Sequence, residues 1–302
     1  MDPESQPRPP VSSIGIMSTA YSGTTLVSIV LGRARGVLFT SEVFQLRNKR
    51  SKGSGGTKPI GCKACGPSCS FWTPQFLELC RESSQRYDQI VDRARTLLGS
   101  THVIFKEGGW NAYDTHLREG NRFDRFILLV KCPQAYAYSC FVHQDLPVAA
   151  ALEKYSREYR GALDFVARTG IPTTVVHFDA FADEPASQTQ RICDHLGIPY
   201  SANLLDLGWT EWMHPLAAGN AGAFSHLRPR EEFERGVEKD PFWQRVYKER
   251  HIAWIREHHG TISPDRKWQE GLSDAQKDEV ERHDGAMSVF HTLRGLAAGA
   301  AL

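Results

Sequence analysis

The sequence predicts an α/β fold, a three-layer sandwich around a central, mainly parallel sheet, on three observations. Short apolar runs rich in β-branched residues alternate with longer helical segments along most of the chain. Runs such as Arg125–Val130 (RFILLV) are continuously apolar, which suits strands covered on both faces. The first run passes through a turn of small residues straight into a helical segment, which is how such domains open.

Residues 1–12 are polar and proline-rich and read as a disordered tail, and 13–302 as one α/β domain. Ser13–Met17 (SIGIM) is the first strand, followed by the small-residue turn and a helix over Leu26–Arg33. Gly36–Ser41 (GVLFTS) is a second short strand. Arg47–Gly61, basic and rich in Gly, Ser and Lys, reads as a mobile loop, and Cys62–Trp72 as a cysteine-bearing turn before a helix over Pro74–Leu98. Together they form a cysteine-bearing insertion at about 47–98. Thr101–Lys106 and Arg125–Val130 are buried-type strands. Pro133–Phe141 is a helix with proline in its first turn, Ala149–Thr169 a long helix, and Pro172–Phe178 a β-branched strand. A helix over roughly 186–196 follows, then a loop-rich stretch, Asn203–Arg230, and helices over Phe242–His259 and Asp274–Leu296. No internal repeat is visible.

Charge and cysteine content narrow the function classes. Lys plus Arg number 36 against 35 Asp plus Glu, a balance that excludes a surface given over to nucleic acid or anionic membrane but leaves room for a local anion site. The cysteines number seven, an odd count with only three clustered, unlike the disulfide framework of a small secreted domain. The N-terminus lacks a charged n-region and an apolar h-region, and the longest apolar runs are strand-sized, far below the roughly 20 residues of a membrane helix. These features point to a cytoplasmic chain. Nothing in the pattern specifies an oligomeric state.

The first chemical signal is Ser22-Gly23-Thr24-Thr25 at the start of the first helix. Such a loop aims consecutive backbone N–H groups, and the positive end of the helix dipole, at one point, where a phosphate or sulfate can sit. Gly23 permits close backbone approach, and three hydroxyls add donors. The pattern G-x-x-x-x-G-K-[ST] is absent, because Thr24 stands where the lysine would be, so an ordinary ATPase or GTPase is disfavoured. Taken alone, the segment reads equally well as a simple N-cap turn.

The second signal is Lys131, at the end of the Arg125–Val130 strand, with Ser139 eight positions on in the next helix. A cation at a strand's carboxyl end and a hydroxyl about two turns into the following helix can converge on a second anion. In open α/β sheets ligands sit at that edge. Two anion sites on one edge suit a nucleotide with phosphates at both ends of its ribose.

These two motifs resemble those of the sulfotransferase family, which uses 3′-phosphoadenosine 5′-phosphosulfate (PAPS). The resemblance implies a P-loop-NTPase-like sulfotransferase fold. It implies contacts from Tyr21, Ser22, Gly23, Thr24 and Thr25 to the 5′-phosphosulfate, and from Lys131 and Ser139 to the 3′-phosphate. Further segments resemble the bacterial branch: Ser41-Glu42-Val43 after the second strand, Cys62–Trp72, the strand end Val103–Lys106, Val175–Phe181 with Pro185, and His214 with Gly219-Asn220. The resemblance runs roughly from Ile14 to Tyr247 and departs from the family at three points. Tyr21 stands where the family has Lys or Arg, Lys131 where it has Arg, and Phe224 near a usual arginine; Lys131 keeps the charge but loses the bidentate fork.

On this resemblance the reaction is transfer of a sulfuryl group to a hydroxyl or amine of a small-molecule acceptor. It needs in-line geometry, charge stabilisation and a base, and no metal. Glu42 is the first candidate base and Lys106 the cation stabilising the transferring group, with a solvated carboxylate and a surface lysine as the plain alternatives. His116, His143 and His214 are alternative bases, and Arg228 and Arg230 would close over the nucleotide. Cys62, Cys65 and Cys69 suit a packed turn or a disulfide better than zinc, since no second C-x-x-C pair completes a site. Cys132, Cys140 and Cys193 read as small core residues, and Trp72, Trp110, Tyr113 and Trp209 as core or acceptor-pocket aromatics. The competing functions are a nucleotide-dependent phosphotransferase and a catalytically impaired PAPS-binding protein.

Overall fold

The structure is a computed structural model that describes residues 11–40, 43, 71–205 and 262–299. Five strands, β1 (Ser12–Met17), β2 (Val37–Thr40), β3 (His102–Lys106), β4 (Arg125–Val130) and β5 (Thr173–His177), form a sheet in the order β2-β3-β1-β4-β5. Every pairing is parallel, so all five carboxyl ends lie along one edge. The register sets Ile16 against both Lys106 and Ile127, so β1 and β3 end within one residue of each other and β4 runs two residues beyond β1.

Alternation along each strand divides the core into two layers, as side chains of successive residues must point to opposite faces. Met17, Val103, Phe105, Phe126, Leu128 and Val130 belong to one cluster, and Ile14, Ile16, Ile104, Ile127 and Leu129 to the other. The second layer is closed by α1 (Thr24–Gly32), through Leu26, Val27 and Val30, and by residues of the chain after β5, among them Phe181, Ile192 and Leu196. The first layer is closed by most of the remaining helices, so the predicted sandwich is present.

Within the β2–β3 crossover the sequence pattern of one helix over Pro74–Leu98 resolves into two, α2 (Pro74–Glu82) and α3 (Arg86–Leu98). Thr73 caps the first, accepting a hydrogen bond from Phe76 N at 3.3 Å, and Pro74 occupies its first turn. The break falls at Ser83, whose hydroxyl accepts from Gln85 N at 3.1 Å and so offers the backbone an alternative to the helical ladder. Apolar periodicity runs on through Phe76, Cys80, Tyr87 and Ile90, all buried, which is why it does not reveal the interruption.

Beyond β3 comes α4 (Trp110–Arg118), entered through Gly108-Gly109 and not among the helices the sequence pattern predicts. Then follow α5 (Pro133–Gln144), α6 (Val148–Thr169), α7 (Phe178–Asp183) and α8 (Pro185–Leu196). The C-terminal part contains a short turn, α9 (Trp268–Gly271), and the expected helix over Asp274–Leu296 is again two: α10 (Asp274–Glu281) and α11 (Asp284–Ala297). His283 makes that break, its Nδ1 accepting from Ala286 N at 3.2 Å to cap the second helix.

Gly15, in the middle of β1, has a packing reason. A Cβ there would lie 2.4 Å from the Phe126 ring and 2.7 Å from that of Tyr113, so the strand is bare where two aromatic rings press against it. The Tyr113 hydroxyl then reaches the carbonyls of Ile16, at 2.9 Å, and Phe105, at 2.8 Å, and receives the N–H of Glu107 at 3.1 Å, tying the ends of β1 and β3 together. Cys80, Cys140 and Cys193 are buried as small core residues. No described helix is long and apolar enough to cross a membrane.

Candidate functional site

The connection out of β1 passes to the α1 layer, while those out of β3 and β4 pass to the opposite layer. The carboxyl end of β1 therefore faces a crevice between diverging chains, the position where open α/β sheets hold their ligands. Three segments border it: 18–23 after β1, 107–109 after β3, and Lys131-Cys132 after β4.

Residues 18–23 form a tight loop with two left-handed backbones, Tyr21 at φ 62° and Gly23 at φ 81°. Gly23 is the N-cap of α1, and among the described residues no side chain caps that end. The first turn of the helix thus keeps its backbone donors for a ligand. A Cβ at Gly23 would lie 2.2 Å from the Phe178 ring, which supports the loop from beneath. Ser22 and Thr24 are buried and Thr25 half-buried, while the Tyr21 ring is exposed, with the His143 ring 5.0 Å away.

Polar contacts fix the loop on the sheet. Thr19 Oγ1 and Ser22 Oγ are 2.8 Å apart, and both approach the Tyr159 hydroxyl, at 3.3 and 3.5 Å. That hydroxyl donates to Leu129 O at 2.9 Å, bridging the loop to β4. Burial pushes the phenol's pKa up, so it is a neutral donor. Tyr159→Phe is expected to cost about 1–3 kcal/mol, since it strands the Leu129 carbonyl and loosens the loop. Chemical denaturation would measure the loss.

Lys131 is the buried cation of the crevice among the described residues, only 3% exposed. Its ammonium donates to Ser139 Oγ at 3.1 Å, to the Tyr21 carbonyl at 3.1 Å, and to the Asp265 carboxylate. Tyr155 holds the backbone beneath, its hydroxyl donating to Lys131 O at 2.9 Å. The two predicted anion sites, the Ser22–Thr25 loop and the Lys131–Ser139 pair, thus meet through the Tyr21 carbonyl. Burial pushes the neighbouring Cys132 thiol up to about 12, aided by the Asp179 carboxylate, so it is not a nucleophile.

Other sequence candidates are spread more widely. Lys106 ends β3 in register with Ile16, half-buried on the same edge. Glu42, Arg228 and Arg230 lie outside the described residues, as do His214, Trp209, Cys62, Cys65 and Cys69. His116 is fully buried at the far end of α4, with its ring 4.4 Å from that of Tyr87 and its Nδ1 3.3 Å from Glu119, a packing residue rather than a base. Tyr113 is core, and Trp72 packs on Phe71 and Phe76. Trp110 lines a groove of about 470 Å³ along α6 that also carries Arg157, Arg160 and Arg168.

Three participants were missed: Thr19, Tyr159 and Asp265. Tyr159 and Asp265 lie 137 and 134 positions from their partners Ser22 and Lys131 respectively, and neither sits in a motif. Their roles arise from tertiary approach. Thr19 carried a signal, a hydroxyl three residues before Ser22.

Comparison with solved structures bears on the fold. The chain superposes on the sulfotransferase domain of the Synechococcus PCC 7002 olefin synthase with a TM-score of 0.58, over 94% of this chain and 96% of that one, at 18% sequence identity. The fold is that of a sulfotransferase domain. Mouse sulfotransferase SULT7A1 complexed with PAP matches at 13% identity with a TM-score of 0.46, over 96% of this chain and 89% of that one. No family model and no curated protein sequence matches. In this sulfotransferase fold the crevice at the end of β1 holds a loop whose helix donors are uncapped among the described residues, and a buried lysine–serine pair.

Proposed function

We propose that the chain is a sulfotransferase that takes a sulfuryl group from PAPS and delivers it to a hydroxyl or amine of a small molecule. The observation that carries this is the convergence of Lys131 and Ser139, 3.1 Å apart, beside the uncapped start of α1. A lysine 3% exposed at a ligand-binding edge is costly to bury and is useful there as an anion ligand. The donor set fits the nucleotide: backbone N–H groups and hydroxyls at one place, an ammonium and a hydroxyl at the other, with no Walker lysine.

When bound, PAPS supplies a sulfuryl group whose bond to the 5′-phosphate breaks as one to the acceptor oxygen or nitrogen forms, releasing adenosine 3′,5′-bisphosphate. The N–H groups and hydroxyls of Ser22, Thr24 and Thr25 would hold the 5′ side and take up the charge that develops there. Lys131 and Ser139 would hold the 3′-phosphate and so fix the nucleotide's position along the crevice. Lys106 is proposed to face the transferring group, and Glu42 to accept the acceptor's proton. Arg228 and Arg230 are proposed to cover the nucleotide.

Thermal shift with adenosine 3′,5′-bisphosphate against ATP plus Mg²⁺ tests the nucleotide. The bisphosphate is expected to raise the Tm and ATP to leave it nearly unchanged. Larger stabilisation by ATP plus Mg²⁺ would instead indicate a phosphotransferase. Tyr21, at the position of the family's loop cation, favours one second reading, a nucleotide binder without chemistry. Appearance of label from ³⁵S-PAPS on any acceptor in a metabolite mixture rejects that reading.

A further inference from the structure

The ammonium of Lys131 has three hydrogens and three acceptors: the Tyr21 carbonyl, the Ser139 hydroxyl and the Asp265 carboxylate. The first two belong to the anion site. The third is itself an anion, brought in from a segment more than a hundred positions away. Its second oxygen, Oδ1, is buried and has no hydrogen-bond partner among the described residues. A carboxylate anchored by one oxygen, with the other stranded, is an incompletely satisfied contact that a better anion can displace.

We propose that Asp265 is a built-in competitor for the Lys131–Ser139 pocket, and thereby a specificity-determining residue that lets only a ligand with a doubly charged oxyanion take the pocket. This rests on the proposed nucleotide site. A phosphate monoester brings up to two negative charges and three acceptor oxygens to the lysine and serine, where Asp265 offers one charge and one bonded oxygen. A ligand with only a hydroxyl at that point cannot repel the carboxylate and leaves it seated. Chloride and other monoanions match Asp265 in charge but lack its tether, so they compete poorly.

The surrounding chain allows the exchange. Asp265 lies in a non-helical stretch, Ile262–Arg266, and Arg266 pairs with Asp183 through an exposed contact of 3.4 Å. On the C-terminal side the segment is fixed: Trp268 packs on the core, and α9 rests on α5, where a Cβ at Gly271 would lie 2.1 Å from the Tyr138 ring. Displacing Asp265 thus requires rearranging a few residues of irregular chain between Ile262, which packs on the α1 layer, and Trp268, with no described helix unfolded. An occupied-by-Asp265 state that dominates the free protein lowers apparent affinity by the fraction of molecules with the pocket open.

The test is calorimetric binding to the wild-type chain, Asp265→Asn and Asp265→Ala, using adenosine 3′,5′-bisphosphate and, as the ligand lacking a 3′-phosphate, AMP. The bisphosphate is expected to bind both variants about tenfold or more tightly than wild type, with AMP affinity unchanged, which also shows the variants folded. In wild type, hydrogen exchange over 262–268 is expected to quicken when the bisphosphate binds. Equal or weaker bisphosphate binding by both variants overturns the proposal while leaving the nucleotide site standing. An equal gain for AMP overturns it as well, since the effect would then be one of overall charge. No bisphosphate binding by any of the three proteins overturns the nucleotide site itself, and the competitor role with it.

Discussion

Lys131→Met is expected to weaken adenosine 3′,5′-bisphosphate binding by about 1.5–3 kcal/mol, roughly 10- to 150-fold, the range for losing a charge-assisted hydrogen bond. Methionine is the informative replacement. It keeps most of the stem that fills a site 3% exposed, so a loss of affinity reports the ammonium rather than a cavity. Two effects oppose each other in this variant. The pocket loses its cation, and Asp265 loses its only ion-pair partner among the described residues, which removes the competitor. The first dominates, because an empty neutral pocket still cannot satisfy a phosphate dianion. The loss should appear in Kd and in KM for the donor, with kcat little changed, because the interaction is made equally in the ground and transition states. Titration calorimetry measures the first and steady-state kinetics the second. Unchanged nucleotide affinity would remove Lys131 from the 3′ site.

The layered fold and both halves of the crevice were legible in the sequence for local reasons. Continuous apolar strands such as RFILLV have few alternatives once they alternate with helices, and all five expected strands are in the sheet. The Ser22–Thr25 loop and the Lys131…Ser139 spacing are encoded over at most nine residues, so they survive reading without coordinates. Helix interruptions were not legible where apolar periodicity bridges them: Ser83 and His283 break helices through their own side-chain hydrogen bonds, which no hydrophobic pattern records. Nor was the burial of His116, which a sequence presents simply as one of twelve histidines. Contacts of Tyr159 with Ser22 and of Asp265 with Lys131 join segments 137 and 134 positions apart, and only the packed chain discloses them. Glu107 is a further case. It is buried at the end of β3 and accepts the Tyr87 hydroxyl at 2.7 Å; the phenol's own burial, and next the Glu107 charge, push its pKa well up.

Gly23→Ala is expected to damage both stability and nucleotide binding. Two costs add. The backbone at φ 81° lies where a side chain is penalised by roughly 1–2 kcal/mol. The new methyl would also sit 2.2 Å from Phe178, a ring only 7% exposed and packed with Phe181, so it has little room to retreat. Overpacking of that kind costs about 1–3 kcal/mol, which puts the total near 2–5 kcal/mol. The chain can relieve it by lifting the loop off Phe178, but that moves the first N–H groups of α1 and the Tyr21 carbonyl that Lys131 holds at 3.1 Å. Relief of strain and loss of the anion site are therefore the same movement. A second substitution separates them. Phe178→Leu in the Gly23→Ala background removes the ring atoms that clash, and should recover part of the Tm without recovering all the nucleotide affinity, since the left-handed strain remains. Denaturant melts and calorimetric titration of the single and double variants read the two effects apart. A Gly23→Ala chain with wild-type stability and affinity would show that the loop is not held on Phe178 and that its backbone does not bind the nucleotide.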